Sequence, residues 1–434
     1  MSADGSRFHS VILDQDACKG CTVCVTTCPA EAIRVRDGKA FIIEERCIDC
    51  GECIRRCPNH AKKARSDALE SLADPASPFD WKIALPAPSL YGQFPDTAPV
   101  AEIHRALRSL GFDEVFPVSA ATELVARATR AYLARPDARR PVISSSCPTI
   151  IKYIQIRFPS LIEHVEPVIA PMELAARIAK SRARRRLPAG SRVGAFFISP
   201  CAGKITETKA PLSGGESAVD GVFSVKDVVL PIIAALKNDG ADRIEPAPSA
   251  PTGDSAPEIS WGRREGEAAM TVAGSPFRYL AVDGIELCAQ VLESCENGKL
   301  PGIDFLELMA CREGCVGGPL VASSPTLARH VLTVRESSAP PAATPPDPAG
   351  EAPFRDPDLP ARPALLLDGD YRKARAMMAE MERIYAELPG LDCGCCGAPN
   401  CHALAEDIVR GKASKTDCVI ILKEQYRLLL EEGK

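Results

Sequence analysis

The spacing of apolar and polar positions changes several times along this chain, and the changes divide it. Trp81-Lys-Ile-Ala-Leu reads as an entering strand, and Val193 to Ile198 is a continuous apolar run suited to a buried strand. Val100, Ile103, Ala106, Leu107 and Leu110 recur at helical spacing and mark one face of a helix. Strand-like and helical stretches of this kind alternate over residues 80–335, which predicts an α/β domain. Two segments break the pattern, Glu245 to Pro257 and Ser337 to Pro363, both dense in Pro, Ala and Asp and poor in core-forming residues. The first reads as a surface loop and the second, taken as residues 336–363, as an interdomain linker. Asp67 to Phe79 is a shorter polar connection between the first part of the chain, residues 1–72, and the α/β part. Beyond the linker, Tyr371 to Leu388 has helix-forming content and a last helix is predicted from about Cys418 to Glu432, so residues 364–434 form a small helical domain.

A chain of 434 residues is too long for one ordinary core, which agrees with this division. The net charge of -5 gives no reason to expect nucleic acid, and the basic stretch Arg182 to Arg186 reads as the solvated end of a helix. No apolar run approaches the length of a membrane span, and the first residues lack a charged-then-apolar signal pattern. The expected partners are proteins and small molecules, in the cytoplasm. The nineteen cysteines fit a reducing compartment, because they fall in spacings that need thiolates and not in a disulfide framework.

Eight of those cysteines form two copies of one run, Cys18-x2-Cys21-x2-Cys24-x3-Cys28-Pro29 and Cys47-x2-Cys50-x2-Cys53-x3-Cys57-Pro58. This is the ligand spacing of a two-cluster bacterial-type ferredoxin, in which the fourth cysteine of each run serves the other cluster. Cys18, Cys21, Cys24 and Cys57 are therefore assigned to one [4Fe-4S] centre, and Cys47, Cys50, Cys53 and Cys28 to the second. Zinc or disulfides account poorly for two tandem runs of this form.

Four more cysteines follow apolar, strand-like segments in the α/β part: Cys147, Cys201, Cys311 and Cys315. Open α/β sheets place their sites at the carboxyl ends of strands, and four thiolates in one crevice would hold a further [4Fe-4S] cluster. Gly314, Gly317 and Gly318 would let backbone approach it closely.

The residues around these cysteines resemble the three signature motifs of the [FeFe]-hydrogenases, in order: Ser144-Ser145-Ser146-Cys147-Pro148, Ser199-Pro200-Cys201-x2-Lys204-x2-Glu207 and Glu307-x-Met309-Ala310-Cys311-x3-Cys315-x-Gly317-Gly318. Ala87-Pro88-Ser89 matches an early segment of the same family, so the resemblance covers about residues 80–335. It implies an α/β domain carrying an H-cluster: a [4Fe-4S] cluster on the four cysteines, bridged by Cys315 to a two-iron subsite with carbonyl, cyanide and dithiolate ligands. It also implies that Lys204 hydrogen-bonds a cyanide, that Met309 packs against the subsite, and that Ala87, Pro88, Ser89 and Glu207 belong to the site. Outside this motif context, a surface Lys204 and a core Met309 would be the plainer reading.

Three positions depart from the family. Ser146 stands where the hydrogen-producing members have a proton-relaying cysteine, and an alcohol ionises far less readily than a thiol of pKa about 8.5. Ser199 replaces a methionine, and the stretch around Arg127 and Ala128 lacks the carboxylates of the family's proton path. Slow turnover is the expectation.

Near the C-terminus, Cys393-x2-Cys396-x4-Cys401, with Cys418 sixteen residues on, resembles a small iron–sulfur domain appended to other redox proteins. A fourth [4Fe-4S] cluster is expected there, with zinc as the alternative. Cys395 is read as a non-ligand, Cys288 and Cys295 as buried small apolar residues, and His402 as a surface residue.

The whole is thus multidomain, α+β and α/β: a ferredoxin-like domain, a hydrogenase-like domain and a small helical iron–sulfur domain. The combination resembles the sensory branch of the [FeFe]-hydrogenases, and implies slow conversion between H2 and protons, with electron relay through the clusters. Implied partners are H2, protons, a redox or signalling protein, and maturation proteins that install the subsite. Two alternatives stay open, a non-catalytic electron-transfer or cluster-handling protein and a fully active ferredoxin-linked hydrogenase.

Overall fold

The computed structural model describes residues 8–237, 259–338, 347–355 and 359–432, so the loop expected at Glu245 to Pro257 lies outside the described residues. The chain forms two compact units, one of residues 1–64 with 362–434, the other of residues 65–361.

In the first unit, the strand Val11–Leu13 pairs antiparallel with Lys62–Ala64, and Ile33–Arg36 pairs antiparallel with Lys39–Ile42. The second pair is a tight hairpin, because Asp37 and Gly38 both take positive φ, as a two-residue turn that follows the strand twist requires. Short helices, Val23–Thr26 and Glu52–Arg56, each carry the third cysteine of one run. The C-terminal part of this unit is helical: Tyr371–Glu387, Cys401–Val409 and Val419–Glu432. Its small core joins Met381, Ile384, Leu388 and Leu404 to Cys401 and Cys418.

This helical part packs on the ferredoxin-like part. Asp407 accepts from Arg34 Nε at 2.7 Å and Arg36 Nη2 at 2.8 Å, and Glu406 pairs with Arg46. The backbone N–H of Val35 donates to the Gly397 carbonyl at 2.9 Å. A Cβ at Gly397 would overlap the Val35 carbonyl oxygen, so only glycine allows this approach.

The second unit is α/β with two parallel sheets. The larger has strand order Glu114–Val115, Trp81–Pro86, Val193–Ser199, Gly221–Ser224, in register Trp81 with Val193 and Phe196 with Gly221. Every residue of Val193–Ser199 is buried, which explains the unbroken apolar run in a strand covered on both faces. The smaller sheet has order Tyr279–Asp283, Phe305–Met309, Val142–Ile143. Residues 347–355, read from composition as linker, pack onto this unit: Phe354 bridges Val168, and the Ile169 N–H donates to the Pro353 carbonyl at 2.8 Å. Proline removes donors but leaves carbonyls, and these carbonyls find strand-like partners. No described helix is long and apolar enough to cross a membrane.

Candidate metal centres

The sheets of the second unit deliver cysteines at their carboxyl ends. Val142–Ile143 leads through three serines to Cys147, Val193–Ser199 leads through Pro200 to Cys201, and Phe305–Met309 leads through Ala310 to Cys311. Cys147 and Cys201 are N-cap residues of the helices Pro148–Arg157 and Ala202–Lys209, so both stand where a strand-to-helix turn begins a helix. The two helix starts approach closely at Gly203, where a Cβ would stand 2.6 Å from Thr149 Oγ1. Ser199 is fully buried and exchanges hydrogen bonds with the Cys201 backbone at 3.1 Å, holding that turn.

Cys147, Cys201, Cys311 and Cys315 line one cavity, together with Ala87, Pro88, Ser89, Ser146, Lys204 and Met309. Its wall is almost wholly apolar, with Lys204 and Glu267 as its charged members. Burial pushes the Cys201 thiol up to about 11, with the neighbouring Cys147 adding to the rise. Without a cation the Cys201 thiol would stay protonated; a metal would draw off the proton. The donor set, the dry wall and the glycines fit a [4Fe-4S] cluster. A Cβ at Gly318 would overlap the Pro200 carbonyl, and one at Gly314 would stand 2.8 Å from Met309 Sδ.

Ser146 reaches a partner that the local sequence does not announce. Its hydroxyl donates to Glu267 Oε1 at 2.8 Å, and Ser144 donates to the same oxygen at 2.7 Å. Glu267 is buried, and burial lifts its carboxyl well above the usual carboxylate range while the two serine bonds restrain the rise. It is carried on the short helix Gly266–Val272, whose start is anchored by Glu307 from the strand Phe305–Met309. Glu307 accepts from the N–H groups of Glu265 and Ala268 at 2.7 and 2.6 Å. Burial first, then the charge of Glu267, raises the Glu307 carboxyl as well, and the same two causes raise Glu166. Glu166 accepts from the Ser145 N–H at 3.2 Å. Two buried acids, Glu267 and Glu166, therefore bond to the segment Ser144 to Ser146.

Glu207 is placed differently from the other motif residues. It lines a neighbouring cavity with Lys204, Glu173 and Arg355, and burial raises its carboxyl against the pull of Lys204 and Arg355. Lys204 lines both cavities. Arg127 is paired with Glu123 on the helix Thr122–Leu133, and Ala128 is buried on the same helix. Cys288 is fully buried and donates weakly to the Met309 carbonyl, Cys295 is also buried, and His402 is exposed with its ring against Tyr385.

In the first unit, Cys18, Cys21, Cys24 and Cys57 line one small cavity and Cys28, Cys47, Cys50 and Cys53 another. Backbone N–H groups of Ala32 and Ala61 donate to Cys28 Sγ and Cys57 Sγ, both at 3.3 Å. Burial pushes Cys24 up to about 11 and Cys53 up to about 12, while the Lys62 ammonium works against both shifts. Lys62 is 3 % exposed and its Nζ has no hydrogen-bond partner. A buried ammonium of this kind fits a negatively charged cluster beside it. Val35 lines the first of these cavities. Its neighbour Arg36 donates to the Cys396 carbonyl at 2.8 Å, so one hairpin touches an N-terminal and the C-terminal cysteine group. Cys396, Cys401 and Cys418 pack in one core, Cys393 and Cys395 are exposed, and Asp392 accepts from the Cys401 N–H at 2.8 Å.

Comparison with known proteins agrees with this geometry. The family model of the iron-only hydrogenase large subunit, C-terminal domain, matches residues 82–256 and 252–319, more than half of the chain. The chain belongs to that family. A 4Fe-4S dicluster domain matches residues 10–58 of this hydrogenase-family chain, and an Fe-S cluster domain matches residues 388–420. It is 28% identical over 371 residues to the periplasmic [Fe] hydrogenase large subunit of Nitratidesulfovibrio vulgaris, covering 73% of this chain and 87% of that one. It is 22% identical over 272 residues to the NADP-reducing hydrogenase subunit HndD of Solidesulfovibrio fructosivorans, covering 52% of this chain and 46% of that subunit. Among solved structures, a variant of [FeFe]-hydrogenase HydA1 from Chlamydomonas reinhardtii aligns with a TM-score of 0.47 at 20% identity, over 61% of this chain and 87% of that one.

Glu267 is the site residue that motif reading of this hydrogenase relative passes over. Its signal in the sequence is faint, an acid followed by Ala-Ala-Met in a short apolar stretch. Nothing local says that the stretch closes on Ser146.

Proposed function

We propose that this chain is a low-turnover [FeFe]-hydrogenase of the sensory type, interconverting H2 with protons and electrons and reporting hydrogen or redox state to a protein partner. When bound, the two-iron subsite supplies the H2 chemistry. The chain's own residues would hold and serve it: Cys147, Cys201, Cys311 and Cys315 would hold the iron–sulfur group, Lys204 would offer a charged donor, and Met309 with Ala87, Pro88 and Ser89 lines the wall. Three further [4Fe-4S] clusters take Cys18, Cys21, Cys24 and Cys57; Cys47, Cys50, Cys53 and Cys28; and Cys393, Cys396, Cys401 and Cys418.

The observation that carries the reading is the bond from Ser146 to Glu267 at the cavity of the four cysteines. A hydroxyl can pass a proton only in concert with a partner, and Glu267 is a buried carboxyl whose raised pKa keeps it able to give and take one near neutral pH. This supports catalysis that is slower than with a thiol relay and is not abolished. The hairpin shared by Val35 and Arg36 supports electron relay between the first N-terminal cluster and the C-terminal one. We place the protein in the cytoplasm because so many thiolates need a reducing compartment.

The deciding experiment is an infrared spectrum of anaerobically prepared protein coexpressed with the maturation proteins. Carbonyl and cyanide stretching bands are expected. Their absence from protein holding its cubanes would overturn the hydrogenase reading and leave an electron-transfer protein.

A further inference from the structure

One open cavity of the first unit is lined by no cysteine. It measures about 320 Å3 and lies between the hairpin Ile33–Ile42 and the C-terminal helical part. Such a volume is in the range of small-molecule sites. Five cationic side chains line it, Arg34, Arg36, Arg46, Arg410 and Lys412, against three acidic ones, Glu45, Glu406 and Asp407.

Two of the acids are already shared. Asp407 Oδ2 takes both Arg34 and Arg36, and Glu406 Oε1 takes both Arg46 and Arg410. Two carboxylates thus hold four guanidinium groups. Arg34 is 1 % exposed and Arg46 is 4 % exposed, yet Arg34 Nη2 and Arg46 Nη1 have no hydrogen-bond partner. A buried guanidinium with an unused donor is costly, and negative charge in the adjoining cavity offsets part of that cost. The excess of cationic over acidic groups matches the two negative charges of a phosphate monoester near neutral pH, and the guanidinium fork suits phosphate oxygens. The remaining wall includes Phe41 and Ile43, an apolar surface for the body of such a molecule.

We infer that this cavity binds a small phosphorylated molecule, its phosphate among Arg36, Arg46 and Lys412 and its apolar part against Phe41 and Ile43. The inference stands apart from the hydrogenase reading, since it involves no cluster ligand. Because both chain segments of the unit build the cavity, an occupant ties the C-terminal helical part to the ferredoxin-like part and stabilises the pair by linkage.

Calorimetric titration of the full-length, cluster-containing protein tests this with phenyl phosphate, inorganic phosphate and phenol. Saturable one-to-one binding of phenyl phosphate is expected, weaker binding of phosphate, and none of phenol. Lys412→Ala and Arg46→Gln should each weaken phenyl phosphate by about tenfold, and added salt should weaken it further. Lys412 is exposed, so its variant remains decisive if Arg46→Gln fails to fold. No saturable binding, equal binding of phenol, or unchanged affinity in Lys412→Ala would overturn the proposal, the last by showing that phosphate binds elsewhere.

Discussion

Ser146 Oγ stands 2.8 Å from Glu267 Oε1, although 121 residues separate them in the chain. Ser144 binds the same oxygen, so the carboxyl is held in place by two hydroxyls from one turn. Glu267→Gln keeps the shape and removes the titratable proton. It should lower H2 turnover by about a hundredfold while leaving carbonyl and cyanide infrared bands in place. Ser146→Cys should raise turnover, since a thiol of pKa about 8.5 can lend and recover a proton. Rates unchanged in both variants would show that protons travel elsewhere.

Glu166 gives a pH dependence of stability. Burial raises its folded-state carboxyl from 4.5 to about 8, so between these values the folded chain binds more protons than the unfolded one. Its contribution is complete below pH about 4.5 and is lost as pH rises through that window. Glu166→Gln should therefore stabilise the protein clearly more at pH 8 than at pH 5. Anaerobic denaturant titrations at the two pH values measure the difference, and an equal effect at both would refute the assignment.

Gly397 tests the docking of the C-terminal part on the hairpin. It has φ 78°, and its added methyl group in Gly397→Ala would overlap the Val35 carbonyl. The variant should weaken the magnetic interaction between the C-terminal and first N-terminal clusters in electron paramagnetic resonance spectra, with iron content unchanged. Asp407→Ala should do the same and cost about 3–5 kcal/mol, because it strands two arginines that share one carboxylate.

Cys418→Ser decides between iron and zinc at the C-terminus. Loss of about four irons per chain, with zinc absent from both proteins, is the expected result. Loss of one zinc with iron unchanged would assign a structural zinc site. In either case the infrared bands of the second unit should be preserved.

The cysteine groups were legible early because ligand spacing is a local property. Residues two or three apart on a tight turn can face one cluster, so Cys18, Cys21 and Cys24 announce themselves without any knowledge of the fold. The strand Val193–Ser199 and the turn at Asp37 and Gly38 are local in the same sense: burial on both faces selects an apolar run, and positive φ selects Asp-Gly. The described part of the proline-rich stretch was less legible. Its composition suggests a free connection, but its Pro353 carbonyl accepts from the Ile169 N–H and its Arg355 N–H donates to the Pro167 carbonyl.

The sequence by itself determined the chemistry available here, which thiols can share a cluster and which strands can be buried, because these depend on neighbours in the chain. Only the tertiary structure decided which acid meets Ser146 and which acids meet the arginines of the hairpin. Arg34 and Asp407 lie 373 residues apart, and no periodicity encodes such a pair. It arises when separate elements pack and water is excluded between them. The same exclusion sets the raised pKa of Glu267, a property the residue has only inside the fold.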